Sequence, residues 1–151
     1  MTTDIQERED LADGSGRASK RDVWLLDRLR TAAVALNPGI PAPIIDGALG
    51  KLADRRLAML PVPANRDVYE LIRDGIPVDD EDAQGRRQEG RVRVIDFENP
   101  ERKENQFFAV SQLCVKGEKG VRRPDVLLYV NGLPLVFIEL KNSNVKRKWA
   151  A

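Results

Sequence analysis

The sequence contains no histidine and a single cysteine in 151 residues. The first absence removes Ser-His-Asp and Cys-His triads, histidine-ligated metal nucleases and HExxH proteases. The second removes any internal disulfide and any cysteine zinc cluster. Cys114 lies in an apolar stretch and reads as a small buried hydrophobe. No run of about 18 apolar residues exists, so no membrane span is expected. The opening MTTDIQEREDLADGSG lacks the apolar stretch of a secretory signal, and the cytoplasm is the expected location. Neither sign of charge prevails: 25 Lys+Arg stand against 24 Asp+Glu, for a net charge of +1. That balance excludes a polybasic tail or an acidic solvating chain but leaves room for a local basic surface. What is present is 42% apolar and 32% charged, the material of one domain or a piece of one. There is no internal repeat and no low-complexity tract.

Residues 1–20 are polar, contain Gly-Ser-Gly, and are expected to form a disordered lead-in. Val23, Leu25, Leu26, Leu29, Ala33 and Leu36 then fall on one helical face. Ser19 with Asp22 supplies a start signal and Asn37-Pro38-Gly39 a stop. A second helix is expected from Pro43, with Ile44, Ile45, Ala48, Leu49 and Leu52 inward, despite the helix-weakening Gly47 and Gly50. A short third helix is expected near 65–73, capped by Asn65, facing inward through Val68, Leu71 and Ile72, and ended by Gly75. Residues 21–75 thus read as a helical scaffold.

Residues 76–151 read as a β-rich core. The charged stretch 79–90, with Gly85 and Gly90, is expected to be a solvated loop. Val92, Val94 and Ile95 suggest a strand, and Asn99-Pro100 breaks the run after Phe97. Further strands are expected over Phe107–Val115, Val121–Val130 and Leu133–Lys141, the last two joined by the hairpin signal Asn131-Gly132. The tail from Asn142 is basic and looks like the start of something cut off.

Three polar residues stand out against apolar neighbours. Asp125 opens the run Val126–Val130, and Glu139 and Lys141 close the run Leu133–Ile138. Strands apolar on both faces are usually buried on both sides, where a charge is costly unless paired or bound to a metal. Alternation puts Glu139 and Lys141 on one face. A two-residue Asn131-Gly132 loop would pair 130 with 133, hence Asp125 with Ile138, and would leave Asp125 and Glu139 on opposite faces. The shared-face reading therefore predicts either a loop with an odd number of residues, with Gly in the left-handed position, or one β-bulge. On a shared face, two carboxylates form a site for a hard divalent cation such as Mg²⁺, which can polarise a phosphoryl oxygen. Lys141 could then orient the attacking water or offset charge on the pentacoordinate phosphate. These are parts for phosphodiester hydrolysis without histidine. The pattern by itself is loose, and alternate Glu and Lys also suit a solvated strand face. Arg122, Arg123, Lys146, Arg147 and Lys148 flank the site and read either as phosphate contacts or as a solvated edge.

The segment RRPDVLLYVNGLPLVFIELKN, residues 122–142, closely resembles the nuclease region of the restriction (R) subunit of type I restriction–modification enzymes. The phrase around Asn131-Gly132-Leu133-Pro134 is its most specific part. Asp27-Arg28-Leu29 through Leu36-Asn37-Pro38, Asp74-Gly75-Ile76-Pro77-Val78, Val92 to Asn99-Pro100, and Asn105-Gln106-Phe107 also match, so the likeness spans about residues 22–149. The resemblance implies a mixed α/β (α+β) fold of the PD-(D/E)xK restriction-endonuclease type, a mixed sheet with helices on both faces. It implies Mg²⁺-dependent double-strand DNA cleavage, with Asp125 and Glu139 as metal-binding acids and Lys141 as the catalytic lysine. It also implies DNA, modification (methyltransferase) and specificity subunits as partners.

The full subunit in that family carries an ATP-driven translocase. This chain has no G-x-x-x-x-G-K-[ST] phosphate loop, so ATP binding is expected only of the longer protein. The family's N-terminal helical acid is matched weakly, by Glu7 or Glu9, while Glu70 lies elsewhere. The family continues downstream with a Q-x-x-x-Y helix and a further strand, so the chain reads as a fragment, with an exposed sheet edge expected to favour aggregation. The alternative function is a catalytically inactive remnant or an assembly or DNA-binding module that keeps the fold.

Overall fold

A computed structural model of the chain describes residues 3–6, 17, 19–54, 58–81, 87–99, 104–117 and 120–141. The elements run β1 (Thr3–Gln6), α1 (Leu26–Leu36), α2 (Ala42–Ala53), α3 (Pro61–Asp74), β2 (Ile76–Glu81), β3 (Arg87–Val92), β4 (Phe107–Ser111), β5 (Val115–Gly117), β6 (Gly120–Arg122), β7 (Val126–Val130) and β8 (Leu133–Ile138). Four strands form one mixed sheet in the order β1-β4-β7-β8, with β1 parallel to β4 and the other neighbours antiparallel. The pairs β2-β3 and β5-β6 are separate antiparallel ribbons. Among the described residues no helix is long and apolar enough to cross a membrane.

The three expected helices are present, with two shifted starts. Ser19 and Asp22 close a turn of their own: the Ser19 amide donates to Asp22 Oδ2 at 2.9 Å and the Asp22 amide to Ser19 O at 3.0 Å. Helix α1 begins only at Leu26, where no side chain caps it. Instead the Leu25 amide donates to Gly132 O at 3.0 Å, so the helix entry is anchored to the β7-β8 turn. Helix α3 begins at Pro61, four residues before the expected cap Asn65. Proline at the first helical position loses only an amide that would be unpaired there, so Pro61 opens the helix. Gly75 ends it at φ 83°, the left-handed region that glycine enters without strain.

Two stretches read as irregular prove to be strands. The charged segment 79–90 forms the arms of β2-β3, where Asp79 faces Glu89, Asp80 faces Gln88 and Glu81 faces Arg87; residues 82–86 lie outside the described residues. Only the base of that ribbon is apolar, with Ile76 opposite Val92 and Val78 opposite Gly90, which is why its composition resembled a loop. The strand expected at Val92–Ile95 ends at Val92, although Val94 and Ile95 are buried. The polar lead-in also departs from disorder. Thr3–Gln6 pairs with β4, and Arg17 is buried, donating from Nη1 to Cys114 O at 3.0 Å.

One core joins α1, α2, the base of β2-β3 and Leu133 at the start of β8. A second joins Leu25 to Phe108 and Val110 of β4, Leu113, and Leu127 and Tyr129 of β7. The main sheet is therefore well covered on the face of Phe108, Val110, Leu127 and Tyr129. Other parts of the sheet are barer: Phe107, Leu135, Val136 and Phe137 are exposed, and Leu140 beyond β8 is 70% exposed. The described helices pack against the β7-β8 turn and the base of the β2-β3 ribbon.

A buried amide network sets that turn. Asn131 is wholly buried; its amide donates to Gln106 O at 2.8 Å, and its Oδ1 accepts from the Gln106 amide at 2.7 Å. Its Nδ2 donates to Val94 O at 2.8 Å and to Asn105 Oδ1 at 2.9 Å. Asn105 in turn donates to Asp96 O at 2.8 Å and accepts from the Asp96 amide at 3.0 Å. Both N–H donors and the oxygen of the buried Asn131 side-chain amide thus have partners, as burial requires.

On the surface, Arg30 donates to Asp46 from Nε at 2.6 Å and from Nη2 at 3.1 Å, linking α1 to α2. The hydrogen bond from Arg30 and its charge hold the Asp46 carboxyl below its ordinary value. A carboxylate whose folded-state value is depressed contributes stability above its unfolded value and loses it as pH falls through the folded one. The expected result is a small stability loss below about pH 4, the ordinary Asp range. Urea midpoints of wild type and Asp46→Asn measured at a series of pH values should diverge above that range and converge below it; a constant gap at all pH values would remove Asp46 as the titrating group.

Candidate active site

The site is built by the hairpin β7-β8. Asn131 and Gly132 both have positive φ, 53° and 86°, the requirement of a two-residue type I′ turn. Val130 faces Leu133 and Tyr129 faces Pro134, but Leu128 faces Val136, so Leu135 is an extra residue bulged out of β8. Pro134 fits there because β8 is an edge strand beside a bulge, where a missing amide is tolerated. Beyond the bulge Val126 faces Ile138. One step further, that register sets Asp125 opposite Glu139. Of the two devices that could bring the acids to one face, the bulge is the one present; the turn keeps two residues.

Asp125 is half-buried just before β7. Its Oδ2 accepts from the Leu140 amide at 2.6 Å, which ties it to the residue between Glu139 and Lys141. Its Oδ1 accepts from Gln112 Nε2 at 2.8 Å, and its carbonyl accepts from the Gln112 amide at 3.1 Å. Glu139 and Lys141 follow directly from β8 and are exposed. The two-residue step of an extended chain sets them on one side. Arg122 ends β6 and Arg123 follows it, both exposed and immediately before buried Pro124 and the site. Lys146, Arg147 and Lys148 lie outside the described residues, as do Glu7 and Glu9. Glu70 is exposed on α3. The register of β1, Gln6 opposite Ser111, brings the N-terminal strand to the same end of the sheet as Gln112 and Asp125.

Gln112 escaped the sequence reading. It lay inside the run Phe107–Val115, taken as one strand. The structure breaks that run at Gln112, where φ is 54°, and starts β5 three residues later. The run Val121–Val130 breaks likewise at Arg123-Pro124-Asp125. The β5-β6 ribbon is therefore an excursion between two residues that bond each other across its base.

The donor set suits a hard cation. Carboxylate oxygens are the ligands Mg²⁺ takes, usually one or two per site with water completing the shell. A carboxylate has about four lone-pair positions, and Asp125 uses two on N–H donors, so each oxygen retains ligating capacity. Among the described residues no group of three or more His, Cys, Asp or Glu side chains could hold a metal ion. Asp125 and Glu139 would ligate as a pair.

Among the described residues, three helices beside antiparallel and mixed sheets define an α+β chain of PD-(D/E)xK-like architecture. The family model described as the type I restriction enzyme R protein N terminus matches residues 1–151, and the chain belongs to that family. It is 36% identical over 138 residues to the type I restriction enzyme HindI endonuclease subunit of Haemophilus influenzae, a match covering 89% of this chain and 13% of that protein. It is 29% identical over 97 residues to a Methanocaldococcus jannaschii protein named as the MjaVIIIP endonuclease subunit of a type I restriction enzyme, covering 64% of this chain and 8% of the other. The chain thus spans a small part of the length of these relatives. No solved structure matches it.

Proposed function

We propose that this chain is the DNA-cleaving part of a type I restriction endonuclease R subunit, hydrolysing double-stranded DNA with Mg²⁺ in the cytoplasm. The observation that carries this reading is the bulge at Leu135, which sets Asp125 opposite Glu139 and brings the Leu140 amide onto the Asp125 carboxylate. A divalent cation bound there would supply Lewis-acid polarisation of a phosphoryl oxygen. Asp125 and Glu139 supply the oxygens that hold it. Lys141, two residues from Glu139, supplies a positive charge where negative charge builds on the phosphate, and an N–H to orient the attacking water. Arg122 and Arg123 supply sequence-independent phosphate contacts on the approach to the site. Sequence recognition, methylation and ATP-driven translocation belong, in this reading, to specificity and modification subunits and to the remainder of a longer R subunit.

A second reading, a fold-keeping assembly module that does not cut, is favoured by the exposed apolar side chains of Leu135, Val136, Phe137 and Leu140. Incubation of the purified chain with supercoiled plasmid separates the two. The first reading expects Mg²⁺-dependent conversion to nicked and linear forms, stopped by EDTA and slowed about 100-fold or more by Lys141→Ala. Intact plasmid at every Mg²⁺ concentration would favour the second.

A further inference from the structure

We infer that Gln112 is a positioning residue for Asp125, fixing the carboxylate in the orientation from which it can ligate a divalent cation beside Glu139. The inference rests on the metal-binding reading above. Gln112 grips Asp125 at two points, from its backbone amide to the carbonyl at 3.1 Å and from Nε2 to Oδ1 at 2.8 Å. The side-chain contact has one possible sense, because an ionised carboxylate only accepts and must face the NH₂ end of the amide. With Leu140 N–H on Oδ2 at 2.6 Å, each oxygen is pinned by a neutral donor and the plane of the carboxylate is set. Leu140 belongs to the Glu139–Lys141 segment and Gln112 to the end of β4, so the carboxylate is held from both flanks of β7.

The backbone supplies the second observation. Gln112 adopts φ 54°, the left-handed region that side chains other than Gly, Asn and Asp seldom occupy. Strain of this kind collects at functional sites. Glycine would suit the conformation better but could not supply the amide that reaches Asp125. Partners that orient a metal-ligating side chain typically govern affinity by about 10- to 100-fold.

The test is Mn²⁺ binding to the 151-residue chain, followed by the paramagnetic signal of the free ion, together with the thermal midpoint of each variant. Gln112→Gly should weaken Mn²⁺ binding about 10- to 100-fold while keeping or raising the midpoint, because glycine relieves the backbone strain. Gln112→Asn, which retains an amide and tolerates the left-handed region, should recover part of the affinity. A merely structural role would give the reverse, a lower midpoint with affinity unchanged. Unaltered affinity in Gln112→Gly, with binding abolished by Asp125→Asn, would overturn the positioning role and leave the metal site standing. A wild-type chain that binds no Mn²⁺, or Asp125→Asn binding as tightly as wild type, would overturn both.

Discussion

Replacing Asp125 with alanine should reduce Mg²⁺-dependent DNA cleavage by about 100-fold or more while leaving the fold nearly intact. The first half follows from charge. In the proposed metal-binding reading, removing one of two carboxylates halves the negative charge available to a divalent cation and deletes the more constrained of the two proposed ligands. Even residues that only orient ligands are worth about 10- to 100-fold, so a direct ligand sets a larger loss. The second half follows from exposure. Asp125 is half-buried at the end of β7, and the donors it leaves behind, Leu140 N–H and Gln112 Nε2, are at the protein surface. Water can replace the missing acceptor, so the stability cost should be about 1 kcal/mol, the net value of an ordinary hydrogen bond. Plasmid cleavage and a urea midpoint measured on the same preparation decide it. Cleavage that survives Asp125→Ala would sink the site; a collapsed urea transition would mean that Asp125 holds the hairpin together.

Among the described glycines, Gly132→Ala should be the most destabilising, by about 3 kcal/mol or more from strain and overpacking combined. Gly132 sits at φ 86°, and a Cβ there would overlap the carbonyl oxygen of Leu25 and lie 3.0 Å from the Leu29 amide. Those two atoms form a hydrogen bond at the start of α1, Leu29 N to Leu25 O at 3.0 Å. Neither can yield without unwinding the helix entry. If the hairpin lifted instead, Asn131 would leave four hydrogen bonds and strand Val94 O and the Gln106 amide. Chemical denaturation of Gly132→Ala should show a much lower midpoint; an unchanged one would mean that the turn does not rest on α1.

Much of the candidate site's backbone geometry could be read before the structure. Asn131-Gly132 names its own turn, because few other residue pairs accept positive φ twice. The polar residues at the ends of two apolar strands demanded a correction to the register, and the bulge supplies it. Gln112 could not be anticipated. Nothing in glutamine's chemistry announces positive φ, and its partner lies across an inserted ribbon. Strand β1 was hidden for a related reason: Thr-Asp-Ile-Gln has no strand pattern, and its pairing with Phe108–Ser111 is set by tertiary contact alone. In α3 the local signals were present but conflicted, since Pro61 and Pro63 can open a helix or forbid one. In β2-β3 the charges of Asp79–Glu81 masked a ribbon whose apolar base is only two pairs deep.

The extra residue at Leu135 makes the site a matter of odd and even. Counted from Gly132 to Glu139, one residue more or fewer returns Glu139 to the side of the sheet away from Asp125. Such a change would disturb composition and apolar content very little, and helices α1 to α3 not at all. A lineage could therefore move the two acids to opposite faces by a single codon deletion in β8 and keep a folded, conventional-looking chain. Under the proposed function, spacing along this strand is a sharper mark of a working site among relatives than the presence of the three charged residues.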